Sequence, residues 1–150
     1  MLLLQFVQNV KCEVDMKEIL NNEFTTISYD NICNSIIGTW KKPSTTEAYK
    51  LIFSEILESV SSFNADALII DIYHQGIVGM ENRKWLQNEI LPKAYRQGLR
   101  KVAIVTPNDV FSTSYIDSIK KGTLALSLDF QAFNDLIMAK SWVLNEEISV

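Results

Sequence analysis

"ALIIDIYHQGIVGM", residues 67–80, is the stretch on which the reading of this chain turns. It opens with a short run that is apolar on both faces, as expected for a central strand covered by helices on each side. An Asp, an aromatic, the only His of the chain and two Gly follow, at the strand's carboxyl end, where α/β proteins bind their ligands. Two readings compete for it: a chemical site built on Asp71 and His74, or a turn that closes a strand.

Downstream, "ENRKWLQNEILPKAYRQG" at 81–98 reads as a helix with Trp85, Leu86, Glu89 and Ile90 on neighbouring faces. Pro92 should strain or kink it, and Gly98 should close it in the C′ position. "KVAIVT" at 101–106 repeats the buried-strand signature. Pro107 then supplies a stop, Asp109 a cap, residues 110–122 a short helix stopped by Gly122, and "TLALSLDF" at 123–130 another strand. A final helix at 131–144 carries Phe133, Ile137 and Trp142 as its apolar side.

Upstream, "FTTISY" at 24–29 and "ICNSIIGTW" at 32–40 flank the turn pair Asp30-Asn31, which predicts a hairpin. Lys41, Lys42 and Pro43 break the second strand. Ser44 with Glu47 then makes a capping box for a helix whose stripe is Ala48, Leu51, Ile52, Ile56 and Val60. Lys50, Glu55 and Glu58 face water, and the helix ends near Phe63 and Asn64. Before residue 24 the pattern stays open: "LLLQFV" suits an edge strand and "DMKEIL" a helical turn. A hairpin followed by alternating strands and helices predicts an α/β fold. Its sheet is mixed, an antiparallel N-terminal hairpin and then parallel strands joined by right-handed crossovers and packed by helices.

The 150 residues fit one domain, 1–150, and a chain 47% apolar and 21% charged is folded rather than disordered. With a formal net charge of −4 and scattered Lys and Arg, it lacks the basic footprint that holds nucleic acid. "MLLLQFV" has no basic leader and is too short to span a bilayer, so it reads as part of the fold, with no integral membrane association. Cys12 and Cys33 are able to pair in principle, but two thiols in a chain with an adequate core suggest reduced, packed cysteines and a cytoplasmic protein.

An ordered series carries a resemblance: "SYDNI", "GTW", "STTEAYK", "LIIDI", "WLQNEILPKAYRQGLRKVAIVTPNDVFS" and "FQAFNDLIMAKSWV". From Phe24 to Leu144 the chain resembles the small stand-alone bacterial proteins of the STAS type, the fold of anti-sigma factor antagonists and of the cytoplasmic domains of sulfate transporters. The resemblance implies a STAS-like sheet and a regulatory or protein-interaction role. In the antagonists, a Ser or Thr at the start of the helix after the central strand is phosphorylated by the partner kinase. Here no Ser or Thr occurs between Tyr73 and Thr106, and the helix start reads Met80-Glu81-Asn82-Arg83. The kinase switch does not carry over. Glu81 would put a fixed carboxylate near the same amides, or simply complement the helix dipole.

Chemistry is sparse. Asp71 with His74 is the one acid–base candidate near the strand end, yet the loop has no Ser, Thr or Cys to attack a substrate, and no nucleophile elbow occurs. An Asp at a strand end commonly caps its own turn, and a lone loop His is usually solvated. Neither a metal-ligand spacing nor a phosphate-cradling Gly pattern is present, so no metal and no cofactor is expected. Trp40, Trp85 and Trp142 read as packing residues.

Three functions follow. The first is a non-enzymatic regulatory or interaction module of unknown protein partner, docking through Tyr73, His74, Gln75, Glu81, Arg83 and Lys84. The second is a small-molecule or lipid-binding protein with an apolar pocket, because the fold is also similar to CRAL-TRIO lipid carriers and Phe111, Tyr115, Phe130 and Phe133 supply apolar surface. The third is an enzyme using Asp71 and His74. A homodimer is compatible with all three.

Overall fold

The computed structural model describes residues 16–107 and 113–145. "LLLQFV", Cys12, Asp109 and Phe111 therefore lie outside the described residues. One six-stranded sheet runs in sequence order, β1 (Lys17–Asn21), β2 (Thr25–Asp30), β3 (Ser35–Trp40), β4 (Ala67–Asp71), β5 (Lys101–Val105) and β6 (Asp129–Phe133). The first three strands are antiparallel, and β3 to β6 pair in parallel. The fold is the expected α/β class with a mixed sheet.

Helix α1 (Thr46–Ser62) joins β3 to β4, and α4 (Ser114–Ala125) joins β5 to β6. Between β4 and β5 lie α2 (Met80–Trp85), a π-helical turn (Leu86–Ile90) and α3 (Leu91–Arg96). Because each parallel strand lies beside its predecessor, right-handed crossovers put all of these on one face. The larger core is there, where Ile36, Trp40, Leu68, Ile70, Val102 and Ile104 meet the helices. The opposite face carries Ile37, Ala67, Ile69, Ala103 and Val105 against Ala139 and Val143 of α5 (Leu136–Val143). Strand β4 is thus covered on both sides, as its composition predicts.

Several local expectations are corrected. Residues 17–21 form an edge strand, not a helical turn: five residues cannot nucleate a helix unaided, and β2 supplies backbone partners. The hairpin loop is longer than two residues, because Asp30 Oδ1 accepts from Ile32 N at 2.9 Å and Asn34 takes a left-handed φ of 49°, delaying β3 to Ser35. Thr45 rather than Ser44 caps α1, its Oγ1 accepting from Ala48 N at 3.1 Å. The buried stripe of α1 is Tyr49, Ile52, Phe53, Ile56 and Val60, while Leu51 is 69% exposed. Packing against Trp40 of Tyr49, stacked with centroids 5.8 Å apart, and of Phe53, tilted at 6.5 Å, sets that rotation.

The column from Met80 to Arg96 absorbs Pro92 through the π turn that precedes it. A proline removes one backbone donor and crowds the carbonyl four residues back, here Asn88, and the wider turn accommodates both. Gly98, at φ 114°, follows the Gln97 cap as expected. Gly122 does not stop α4; it lies inside the helix, where an added Cβ would stand 2.8 Å from Leu91 Cδ1 and 3.2 Å from Gln87 Cγ. That residue lets two helices approach. Residues 123–125 finish α4, so β6 starts only at Asp129. In α5, capped by Asp135, Ala139 and Val143 face inward and Ile137 is 74% exposed, while Phe133 belongs to β6.

Candidate functional site

At the carboxyl ends of β4 and β5 the chain leaves the sheet twice, through residues 72–79 and again after Thr106. Ile72 N donates to Val105 O at 3.0 Å, extending the ladder, and Gln75 N then turns back to Ile72 O at 3.1 Å. Asp71 Oδ1 accepts from Tyr73 N at 3.0 Å, so the carboxylate caps its own turn. Gly76 has a φ of 76°, and a Cβ there would meet Pro43 Cγ at 2.8 Å. Only glycine fits both the dihedral and the approach.

Between the two exits lies a cleft of about 430 Å³. Ile72, Ile77, Val78 and Pro107 give it apolar walls; Arg83, Thr106, Thr113, Ser114 and Tyr115 supply its polar groups, and Tyr73 and Gly76 complete the lining. Arg83 reaches it from α2, anchored by a hydrogen bond from Nη1 to Val78 O at 3.1 Å. Thr113 caps α4 by accepting from Ile116 N, which sets that helix's first turn at the cleft wall.

At this wall the phenol oxygen of Tyr115, a lining residue, is 3.0 Å from that of Tyr49, and Gln75 Nε2 lies 3.5 Å from it. Burial pushes the Tyr49 hydroxyl well above its ordinary range and Tyr115 up to about 12. Both are neutral phenols at pH 7. Gln75 Oε1 and Asn82 Oδ1 are buried without a hydrogen-bond partner among the described residues, and both residues line a smaller polar chamber of about 100 Å³ beside Tyr49.

The residues singled out from the sequence separate. Tyr73 and His74 are exposed neighbours, their rings 5.7 Å apart. Glu81 and Lys84 are exposed, and Glu81 pairs with Lys50 at 3.0 Å, so its carboxylate does not stand alone at the helix start. Arg83 is half-buried in the cleft wall. Gln75 is the correction: at 3% exposure it belongs to the buried polar group and not to an outward face. Its amide is drawn inward by Tyr115, 40 residues away in the chain. Of the aromatics named for an apolar pocket, Tyr115 lines the cleft; Phe130 packs on the large core and Phe133 on the opposite face.

Tyr49, Ile77, Val78, Asn82, Thr106 and Thr113 were not legible as site residues. Tyr49 alone had a signal, its spacing of four from Phe53. Among the described lining residues of the cleft there is no His, Cys, Asp or Glu to serve its hydroxyls as a base. Among the described residues no three His, Cys, Asp or Glu come together as a metal site, and no helix is long and apolar enough to cross a membrane. Trp40 is buried in the large core; Trp85 and Trp142 are half-buried against the two cores.

No family model matches this chain, and the curated proteins and the solved structures contain no significant match to it.

Proposed function

We propose that this chain is a non-enzymatic binding module of STAS-like type that takes a small, largely apolar molecule into the cleft at the carboxyl ends of β4 and β5. The observation that carries the proposal is the cleft itself: about 430 Å³, apolar walls and a few convergent polar groups, the make-up of small-ligand sites. Strand order supports the STAS-like part, with an antiparallel start and four parallel strands. Catalysis by Asp71 and His74 is disfavoured, because the carboxylate is engaged by Tyr73 N and the imidazole is exposed.

Native mass spectrometry of the purified chain, followed by titration with alkyl-chain probes, tests this. A retained small molecule or saturable probe binding that Val78→Trp abolishes is the expected result. A chain that binds no apolar probe would overturn it.

A second reading has its own observation. Ile77 is 98% exposed, and Tyr73 and Met80 are exposed beside it, an apolar rim suited to a protein partner or a second copy. Sedimentation velocity at micromolar concentration should then show association that Ile77→Asp removes. A monomer at every concentration takes away the self-association form of this reading.

A further inference from the structure

We infer that the molecule taken by the cleft carries a carboxylate, or an equivalent acidic acceptor group, on its apolar body, and that Tyr115 and Arg83 recognise that group. This deepens the cleft-binding reading and rests on it.

The first argument is a proton count. Two phenols that share one hydrogen bond use one proton between them, so one of the two is left over. Gln75 Nε2 can only donate, and it points at the Tyr115 oxygen. Either phenol can donate the shared bond; in the arrangement inferred here Tyr49 donates, Tyr115 is an acceptor twice, and its own proton has no taker among the described residues. The two orphan acceptors of the region do not take it, since neither Gln75 Oε1 nor Asn82 Oδ1 has a hydrogen-bond partner among the described residues. Tyr115 lines the cleft, so an acceptor placed there meets an unused, buried donor. The rise of both phenols above their ordinary range, caused mainly by burial, keeps that proton in place at neutral pH.

The second argument is the sign of the lining. Arg83 is the only Lys, Arg, His, Asp or Glu among the described lining residues, so the one formal charge there is a cation. One described acceptor, Val78 O, engages its Nη1, whereas a guanidinium has five donor hydrogens. Thr113 and Ser114, at the start of the twelve-residue α4, stand in the same wall, and the dipole of a helix favours negative charge at that end. A positive head would be repelled there, and a wholly apolar ligand would make no hydrogen bond to the buried Tyr115 donor or to the half-buried guanidinium. A carboxylate satisfies all three, and Ile72, Ile77, Val78 and Pro107 accept the chain behind it.

Calorimetric titration of the full chain at neutral pH with octanoate, octanol and octylammonium separates the possibilities at constant chain length. Octanoate should bind at least tenfold more tightly than octanol, and octylammonium should be weakest. Tyr115→Phe and Arg83→Met should each weaken octanoate about tenfold while leaving octanol within about threefold. Tyr49→Phe removes a phenol of equal burial but leaves the Tyr115 proton, so it should retain octanoate binding; this contrast distinguishes recognition from a packing defect. Equal binding of the three probes, or a Tyr115→Phe protein that still prefers octanoate, would overturn the acidic-head inference and leave the cleft standing. Absence of binding by any of them would remove the cleft reading, and the inference with it.

Discussion

The hydroxyls of Tyr49 and Tyr115, 66 residues apart in the chain, meet at 3.0 Å at the cleft wall that Tyr115 lines. The contact ties α1 to α4 across the π turn and joins packing to chemistry. A phenol pair with one shared hydrogen bond in a closed core stays neutral over the physiological range.

Stability should therefore fall in alkali in a defined window. Both phenols titrate above the ordinary value of 10.0 in the folded chain, Tyr115 at about 12. Below about pH 10 folded and unfolded chains hold the same phenolic protons, and these groups add no pH dependence. Above it the unfolded chain loses protons the folded chain keeps, so unfolding becomes easier as pH rises, by up to roughly 1.4 kcal/mol per pH unit for each phenol. Urea midpoints measured up to pH 11.5 should show this fall, and Tyr49→Phe/Tyr115→Phe should remove most of it. An equal slope in the double variant would assign the effect to other groups, Tyr29 among them, whose hydroxyl burial also raises.

Gly122→Ala should destabilise the chain although alanine favours helices. Helix propensity gains about 1 kcal/mol. Against that, the new methyl meets Leu91 Cδ1 at 2.8 Å, and Leu91 is itself buried and unable to swing away. Overpacking of this kind costs about 1–3 kcal/mol, so the net change in urea unfolding is a loss of about 1 kcal/mol. A gain would show that α3 and α4 can separate freely.

Asp30 links the hairpin to α5. Its Oδ1 holds the turn at Ile32 N, and its Oδ2 pairs with Lys140 at 3.0 Å in a partly buried setting. Asp30→Asn keeps the turn bond and loses the ion pair, a cost of about 1 kcal/mol; Asp30→Ala loses both, about 2–3 kcal/mol. Equal unfolding midpoints for the two variants would dismiss the turn bond.

At the strand end, Asp71→Asn should be near neutral because the amide oxygen still accepts from Tyr73 N, whereas Asp71→Ala should cost about 1 kcal/mol. His74→Ala, at an exposed ring, should change stability by less than about 0.5 kcal/mol and leave octanoate affinity unaltered. An affinity change on removing His74 would move the site outward onto the rim.

Where a segment's own residues decide its conformation, the sequence is readable. Residues 67–71 and 101–105 are buried strands because every position is apolar or small enough to be covered, apart from Lys101 and Asp71 at their ends. Gly98 ends α3 through its own dihedral freedom. Where a distant partner decides, the sequence misleads. Gly122 resembles a helix stop until Leu91 is brought against it, and Gln75 resembles a surface residue until Tyr115 meets its amide. The cleft belongs to this second class, being assembled from the segments that follow β4 and β5 together with α2 and the start of α4.

The most direct measurement is a two-dimensional NMR titration of the isotope-labelled full chain with octanoate. Saturable shifts should be confined to residues 72–78, Arg83, Thr106 and 113–115, the described cleft lining and its immediate neighbours. Shifts centred instead on Ala139 and Val143 of α5, or none at saturating octanoate, would contradict a ligand site at the carboxyl ends of β4 and β5.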